Sequence, residues 1–359
     1  MQFNIIKSID GFKSLNGIWD SLYIKSGTYT PFSSFAWINE WWNCFGKNRR
    51  LFIVIATHHG ETIGIAPMML SQQRRFVRRL EFIVDDNGSR FDFAVLKEYK
   101  ADFFKGLSLI LFDNRKLWDE WFLNYFPCDS INFLGVRNSL APSQFWVGEH
   151  FFHSPYIILE KTWKLYLENR KSKFRNNLKR LMRKSKEAGF KYRMVSKDEN
   201  PEAITKAVWQ VEKNSWKHRA GTGIDASKIK KTFYRRIIHQ AHDQGNLYMA
   251  MMELDGRPIA YDFNWSSGDT VFSLKMGFDE EFRNIAPGKL LFAYTIKKSI
   301  EDGFRHHELM GINEDFKSEW TEKLRKHSRF HVYNKGMVSS IFRHFNFTAK
   351  PILKKLLRK

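Results

Sequence analysis

A short segment in the second half of the chain combines the residue types that bind phosphate groups. Residues 276–291 read as the end of a strand, a turn with Arg283 and Asn284, and an apolar-periodic helix that opens at Pro287 and Gly288. Free backbone N–H groups and the positive end of the helix dipole would face a ligand there. Arg283 would add a fork of donors suited to phosphate. The segment predicts an anion site, with ordinary helix capping as the alternative.

A second feature is a strongly basic segment, residues 161–193. It holds thirteen Lys or Arg and two acidic residues, a net charge of +11 out of +21 for the chain. Phe174, Leu178, Leu181 and Met182 recur at helical spacing and predict one buried face, which leaves the cations outward. Such a face suits a phosphate-rich ligand, an anionic membrane surface or RNA. A merely solvated face is the alternative.

The elements that must position these residues are predicted as a mixed α/β fold, because strands bracket helices along the chain. The first half predicts a helix over 34–45 and strands over 51–57, 62–70, 91–96 and 130–134. The second half predicts helices over 161–187 and 287–302 and strands over 246–253, 257–266, 269–277 and 306–310.

Two hairpins suggest that the chain contains two related domains. Residues 55–65 and 251–261 each read as a strand, a glycine-containing turn and a strand. We therefore predict an N-terminal domain over 1–155, a C-terminal domain over 156–338 that owns the anion loop, and a basic amphipathic tail over 339–359.

Composition limits the class of protein. The chain has 359 residues, 43% hydrophobic and 16% aromatic, which is enough to bury the cores of two domains. No segment is long and apolar enough to predict a membrane span, so we expect a cytoplasmic protein, with peripheral contact at the inner face of the membrane through its basic surfaces. Cys44 and Cys128 are the only cysteines and cannot build a thiolate zinc site. We expect no permanently bound metal or cofactor.

The order of several motifs resembles that of CelD/BcsL-type acetyltransferases of the GNAT superfamily, and the chain is similar to the FemABX peptidyltransferases. The resemblance lies in Pro31-Phe32-Ser33-Ser34, Trp37, Trp41-Trp42, Gly64 to Met68, Asp92, Arg175 to Leu178, Met276 to Leu291, Gly311, Phe316-Lys317 and Trp320. It implies two tandem GNAT-like domains of mixed sheets flanked by helices. It also implies transfer of an acyl group, with acetyl as the first candidate, from acetyl-CoA or another acyl-CoA to an amine of a polysaccharide or cell-envelope precursor such as an amino sugar.

The resemblance also assigns roles within the anion loop. The spacing from Arg283 to Gly288 is similar to the loop with which GNAT enzymes hold the pyrophosphate of acyl-CoA, with Ala286 in place of the first glycine. The predicted donor-binding residues are Arg283, Asn284, Ala286, Pro287, Gly288 and Lys289.

The chemistry requires an oxyanion stabiliser and a group that accepts the proton of the amine. Lys317 is the predicted cation beside the oxyanion, and Glu314 or Asp262 is the predicted proton acceptor. For each of them a surface, solvated or capping role is the alternative. Asp92, Tyr261 and Trp320 are predicted to contact the acceptor.

Two other functions stay open. A Fem-like transferase that uses aminoacyl-tRNA would explain the basic helix through phosphate contacts, and tRNA is the one nucleic acid that we consider as a partner. A scaffold of the polysaccharide machinery would bind neither donor.

Overall fold

The chain forms two compact units, one built from residues 1–153 with those from 325 onward, the other from Ser154–Leu324. The structure, a computed structural model, describes residues 1–73, 77–84, 88–350 and 352. The strands are β1 Gln2–Ile6, β2 Arg50–His58, β3 Glu61–Gln73, β4 Val77–Phe82, β5 Ala94–Val95, β6 Glu120–Pro127, β7 Phe145–Ile158, β8 Lys191–Met194, β9 Leu247–Leu254, β10 Arg257–Ser267, β11 Thr270–Phe278, β12 His306–Glu308 and β13 Leu324–Asn334.

The described helices flank these strands. They are α1 Ile9–Lys13, α2 Asn16–Lys25, α3 Phe35–Phe45, α4 Lys100–Asp113, α5 Phe133–Ser139, α6 Trp163–Glu168, α7 Ser172–Glu187, α8 Pro201–Lys213, α9 Trp216–Arg219, α10 Lys228–Asp243, α11 Pro287–Glu301, α12 Asp315–Ser318 and α13 Met337–His344. None of the helices in the described part of the chain is long and apolar enough to cross a membrane. The predicted α/β fold class, with mixed sheets flanked by helices, is confirmed.

The two units repeat one strand order. In the first unit the order is β1-β2-β3-β4-β6-β13, with β4 and β6 parallel and α4 in the crossover between them. In the second unit the order is β8-β9-β10-β11-β12, with β11 and β12 parallel and α11 in the crossover. The end of β7 then pairs antiparallel with β12. The predicted tandem relation is therefore visible in the topology.

The predicted hairpins have equivalent turns. His59 and Gly60 connect β2 to β3 with φ of 50° and 84°, and Asp255 and Gly256 connect β9 to β10 with φ of 48° and 77°. Two successive left-handed residues match the right-handed twist of the flanking strands, and this is why two-residue hairpins favour glycine at one of these positions.

The unit limits differ from the predicted domain limits at the C-terminal end. Residues from 325 to 338 belong with the first unit, because β13 pairs antiparallel with β6. The predicted tail is described as α13 and a π-helical turn over Phe345–Ala349. Its last residues, 353–359, lie outside the described part of the chain.

The predicted helix over 161–187 is interrupted. It consists of α6 and α7, and basic side chains bind the carbonyl groups at the break between them. Arg175 donates to the carbonyls of Glu168 and Arg170 at 2.9 and 3.0 Å, and Arg170 donates to the Trp320 carbonyl at 2.8 Å.

One strand prediction was wrong, and another was too long. The strand predicted over 130–134 is absent from the described residues, and helix α5 begins at Phe133 instead. The strand predicted over 91–96 is reduced to β5, and Asp92 before it accepts hydrogen bonds from Ser130 and Asn132.

Candidate active site

An opening lies between two parallel strands of the second unit. Strand β11 pairs with β12 only through Thr270–Phe272, although β11 continues to Phe278. A bulge at Leu274, opposite Phe263 and Asn264 of β10, distorts β11 just beyond that point. The chain leaves β12 through two left-handed residues, Met310 with φ 54° and Gly311 with φ 63°. The unpaired part of β11 and the segment after β12 therefore border a gap in the sheet.

The predicted anion loop follows the unpaired part of β11. Asp279 caps a 3-10 turn over Glu280–Ile285, and Ala286 then takes φ 55° and ψ 58° before Pro287 opens α11. Ala286 provides no side-chain cap. The side chain at the helix cap therefore accepts no hydrogen bond from the N–H groups of Gly288 and Lys289 in the first turn. An anion site requires such uncapped N–H groups.

The left-handed conformation of Ala286 explains why the family pattern has a glycine at this position. A left-handed conformation costs a residue with a Cβ atom roughly 1–2 kcal/mol relative to the right-handed one. Gly288 is the other tight position, because a Cβ atom there would lie 3.3 Å from the Met276 sulfur. The backbone conformation of the loop is thus the one that the pattern predicts, although the first glycine is replaced.

The side chains of the predicted donor site do not all point toward the helix N-terminus. Pro287 and Gly288 are buried, whereas Arg283 and Asn284 are exposed. The Lys289 ammonium group binds the Glu319 carboxylate at 2.6 Å and lies 4.9 Å from the centre of the Phe174 ring. Lys289 is therefore engaged away from the backbone donors.

Lys317 and Glu314 lie together in the segment after β12. The Lys317 Nζ donates to the carbonyls of Met310 and Ile312 at 2.9 and 3.2 Å, and it lies 3.0 Å from the Glu314 Oε2. Three acceptors match the three N–H donors of an ammonium group. Lys317 thus fixes the two left-handed residues and the carboxylate that follows them.

Lys217 is a second cation at the opening, and the sequence analysis missed it. Its Nζ donates to the carbonyl of Met276, in the part of β11 that β12 does not cover. Burial lowers the pKa of Lys217, the charges of Glu212 and Glu314 raise it, and the charge of Lys275 lowers it further. Lys217 therefore lies against the unpaired part of β11, within the electrostatic reach of Glu314.

Glu212 is the other residue that the sequence analysis missed. It is fully buried on α8, where its carboxylate accepts from the Tyr261 hydroxyl at 2.6 Å and from the Ile224 N–H at 3.2 Å. Burial, followed by the Glu212 charge, raises the pKa of Tyr261 well above its ordinary value. The signal was available: Glu212 follows Ile204, Val208 and Val211 on the apolar face of α8.

Asp262 lies on the opposite face of the sheet from Tyr261. Tyr261 reaches α8, while the carboxyl group of its neighbour Asp262 lies by Thr295 of α11 and by Asn264. Asp262 is 1% exposed, and its Oδ2 has no hydrogen-bond partner among the described residues. Burial raises its pKa to about 6. The structure does not bring Asp262 together with Lys317 and Glu314.

Asp92 and Trp320, predicted to contact the acceptor, are both buried by their own units. In the first unit, Asp92 accepts from Ser130 Oγ at 2.5 Å, Asn132 Nδ2 at 2.9 Å and Phe93 N at 2.7 Å. Burial raises its pKa to about 6, and these hydrogen bonds oppose the rise.

Trp320 is 2% exposed in the core of the second unit. It packs edge-on against Phe174 and Phe292, with ring centroids 4.9 and 4.8 Å apart. Hydrogen bonds account for the buried position of Asp92, and aromatic packing accounts for that of Trp320, without a ligand. Their contact with an acceptor stays a prediction.

The basic helix α7 is amphipathic and adjoins the anion loop. Phe174, Leu178 and Leu181 are buried as predicted, but Met182 is 42% exposed and Ser185 takes the fourth buried position. The α7 helix packs against α11 and against the 3-10 turn over Glu280–Ile285. Its exposed cations are Lys173, Lys179, Arg180, Arg183, Lys184 and Lys186.

Comparison with known proteins finds one family model that matches the segment of the chain containing this site. Residues 172–318 match the family model described as the acetyltransferase (GNAT) domain. No curated protein matches the chain.

Solved structures resemble the whole chain in fold. A crystal structure of FemX has a TM-score of 0.63 and 12% identity, over 93% of this chain and 97% of that one. The C-terminal domain of a putative lysylphosphatidylglycerol synthetase from Agrobacterium fabrum has a TM-score of 0.56 and 11% identity, over 91% and 95%. The L-PGS of Bacillus licheniformis has a TM-score of 0.56 and 10% identity, over 94% and 95%. At these identities the likeness concerns the fold alone, so the chain has the fold of FemX, and its residues 172–318 match the acetyltransferase (GNAT) domain model.

Proposed function

We propose that the unit Ser154–Leu324 binds an acyl-CoA, with acetyl-CoA as the first candidate, and transfers its acyl group to an amine. The observation that carries this proposal is the gap between β11 and β12, with the uncapped N-terminus of α11 at its edge. The pyrophosphate would bind the Gly288 and Lys289 N–H groups, and the thioester would enter the gap.

The proposed chemistry forms a C–N bond and breaks a C–S bond. The amine attacks the thioester carbon, and the tetrahedral oxyanion collapses with loss of the CoA thiolate. We assign Lys217 to the oxyanion, because one of its N–H groups binds the Met276 carbonyl and no hydrogen bond among the described residues uses the other two. We assign Glu314 to the proton of the amine, since its side chain is half exposed at the opening. Lys317 then acts as a positioning residue for Glu314.

For the acceptor we propose an amino sugar or another amine-bearing precursor of a polysaccharide or of the cell envelope. The support is the order of motifs shared with CelD/BcsL-type enzymes. We place the reaction in the cytoplasm at the inner face of the membrane, supported by the exposed cations of α7 and by the exposed Met337 and Ile341 of α13.

The first test concerns the anion loop. Gly288→Glu is expected to abolish acyl-CoA binding in isothermal titration, because it places bulk and a negative charge where the phosphates would bind. Gly288→Ala should bind within several-fold of the wild type, since its Cβ is tight only against the flexible Met276 thioether at 3.3 Å and makes an ordinary contact of 3.5 Å with the Phe278 ring.

The matched control is Gly17→Glu, at a position of α2 where a Cβ atom meets nothing within 4 Å. This variant should bind acyl-CoA normally. Unchanged affinity in a folded Gly288→Glu protein would remove the loop from the donor site.

A second candidate donor is an aminoacyl-tRNA, favoured by the exposed cations of α7 beside the anion loop. It predicts that RNA co-purifies with the protein and that binding weakens steeply with salt. Acyl-CoA carries fewer phosphates, so its binding should depend on salt much less.

A further inference from the structure

The first unit contains a cavity of about 310 Å³ that is distant in sequence from the proposed active site. Three cations, Lys7, Arg49 and Arg50, contribute to its lining, and no acidic residue of the described part of the chain does. The remaining lining residues are Ile9, Trp42, Leu51, Phe52, Leu70 and Leu117. The cavity therefore combines a cationic part with an apolar part.

The register of the sheet explains why these three cations lie close to one another. Lys7 follows the end of β1, and Arg50 begins β2, where it lies opposite Leu70 of β3. Arg49 precedes β2, and its guanidinium lies 5.2 Å from the centre of the Trp41 ring. The backbone thus gathers three positive charges at one end of β1, β2 and β3. Such like charges repel one another unless an anion lies between them.

Arg49 has an unused hydrogen-bond donor at this cavity. Its Nη1 donates to the Phe45 carbonyl, but its buried Nε has no partner among the described residues. Arg49 acts electrostatically on the Glu81 carboxylate, but Glu81 accepts from Ser71 Oγ at 2.5 Å and pairs with Arg79 at 3.9 Å. Glu81 is therefore already engaged by other groups. No ion pair among the described residues involves Arg49, so an anion bound in the cavity would supply a counter-charge for its guanidinium.

We propose that this cavity binds an amphipathic organic anion, a phosphate or carboxylate group attached to an apolar chain. The anionic group would lie among Lys7, Arg49 and Arg50, where guanidinium forks suit both kinds of oxyanion. The apolar chain would lie against Phe52, Leu70 and their neighbours. This site is independent of the donor site proposed above, because it belongs to the other unit.

Isothermal titration with short soluble probes tests the proposal. Octyl phosphate and octanoate should each bind one per chain, while inorganic phosphate and octanol should bind at least tenfold more weakly. Hexyl phosphate should bind roughly fourfold to tenfold more weakly than octyl phosphate, because burial of each methylene group contributes at most about fourfold. Tighter binding of octyl phosphate indicates a phosphorylated lipid as the natural ligand, and tighter binding of octanoate indicates a fatty acid. Either result supports the proposal.

Variants distinguish binding by the cations of the cavity from a general effect of the protein's positive charge. Arg50→Gln and Lys7→Gln, both at exposed side chains, should weaken octyl phosphate at least fivefold, whereas Lys105→Gln on the exposed face of α4 should not. Gly288→Glu should bind octyl phosphate like the wild type, even if it has lost acyl-CoA. Equal binding of octanol and octyl phosphate, or unchanged affinity in both Arg50→Gln and Lys7→Gln, would overturn the proposal.

Discussion

Two lysines at the opening of the second unit differ in how many of their N–H groups have a hydrogen-bond acceptor among the described residues. Lys317 meets three acceptors within its own segment, while Lys217 donates to one carbonyl. A cation that stabilises an oxyanion must have N–H groups directed at the place where the charge develops. Lys217 meets this condition better than Lys317, which the sequence analysis had favoured.

Replacement of Lys217 by Met should lower turnover about a hundredfold to a thousandfold, the usual cost of losing one oxyanion donor. Acyl-CoA binding should persist. Because burial lowers the Lys217 pKa and the ammonium form is the active one, wild-type turnover should decline toward alkaline pH. Steady-state kinetics across pH with labelled acyl-CoA measures both effects.

Lys213→Met is the matched control, since Lys213 is exposed at the end of α8. Lys317→Met is the informative comparison: it should lower thermal stability, because the Met310 and Ile312 carbonyls lose their donor. A larger loss of turnover in Lys317→Met than in Lys217→Met, at equal stability, would return the oxyanion role to Lys317.

Asp262 is a buried carboxyl group whose ionisation opposes folding. Its pKa is raised by burial from 3.8 to about 6, so the folded state keeps the proton over a pH range in which the unfolded state has lost it. The contribution of Asp262 to the free energy of unfolding is therefore most favourable below pH 4, and it falls as the pH rises to about 6.

Asp262→Asn should consequently gain stability relative to the wild type as the pH rises. The difference in the free energy of unfolding should widen by about 2–3 kcal/mol between pH 4 and pH 7. Urea denaturation at several pH values measures it. Asp243→Asn, at an exposed residue of α10, is the matched control for the substitution itself. A constant difference for Asp262→Asn would mean that Asp262 does not hold its proton in the fold.

At the scale of elements, periodicity and turn residues predicted β9, β10, β11 and α11 well. Proline at the helix start and glycine in the hairpin turn are local signals, so they survive without tertiary information. The break between α6 and α7 was not predictable in this way. It depends on Arg170 reaching the carbonyl of Trp320, a residue 150 positions away in sequence.

The candidate site was predictable only in part for a related reason. The anion loop is one continuous segment, whereas the opening requires β11 and β12 to part after three paired positions. Glu212 and Lys217 precede β11 by more than fifty residues in the sequence, and only the fold brings them near it. The face of β10 on which Asp262 lies could not be related to the opening, because strand alternation alone does not tell which face the opening uses.

The position of α7 beside the anion loop suggests an electrostatic role for the helix. Replacing Lys179, Arg180, Arg183 and Lys184 by Gln should leave the fold intact, because the buried Phe174, Leu178 and Leu181 are unchanged. At low salt we expect acyl-CoA to associate up to about tenfold more slowly, with little change in dissociation, as for other steered ligands. Stopped-flow binding at two ionic strengths measures both rates.

The control removes the same charge from exposed lysines of the first unit, with Lys13, Lys25, Lys97 and Lys105 changed to Gln. An equal slowing in this variant would assign the effect to total charge. Binding of tRNA that is lost only in the α7 variant would favour the second candidate donor. Binding of anionic vesicles that is lost only there would support the membrane contact.

At the scale of the whole molecule, the final strand of each repeat comes from the other half of the sequence. β13 follows the second unit along the chain but pairs with β6 of the first. β7 follows β6 along the chain, but its last residues pair with β12 of the second unit. The domain limits predicted from sequence order therefore assigned β13 to the second domain, since no local signal marks such an exchange.

This exchange predicts which fragments can fold. Residues 154–324 should fold and bind acyl-CoA alone, because their ends are held together by the Tyr156 N–H, which donates to the Lys323 carbonyl at 3.1 Å. Residues 1–153 alone should unfold without cooperativity, because β6 loses its antiparallel partner β13 and the buried Phe330, Val332 and Tyr333 of β13 are missing. The same fragment joined through a flexible linker to 325–359 should regain a cooperative transition in urea, followed by circular dichroism. If residues 1–153 unfold as cooperatively without β13 as with it, then β13 is dispensable to the unit in which it lies.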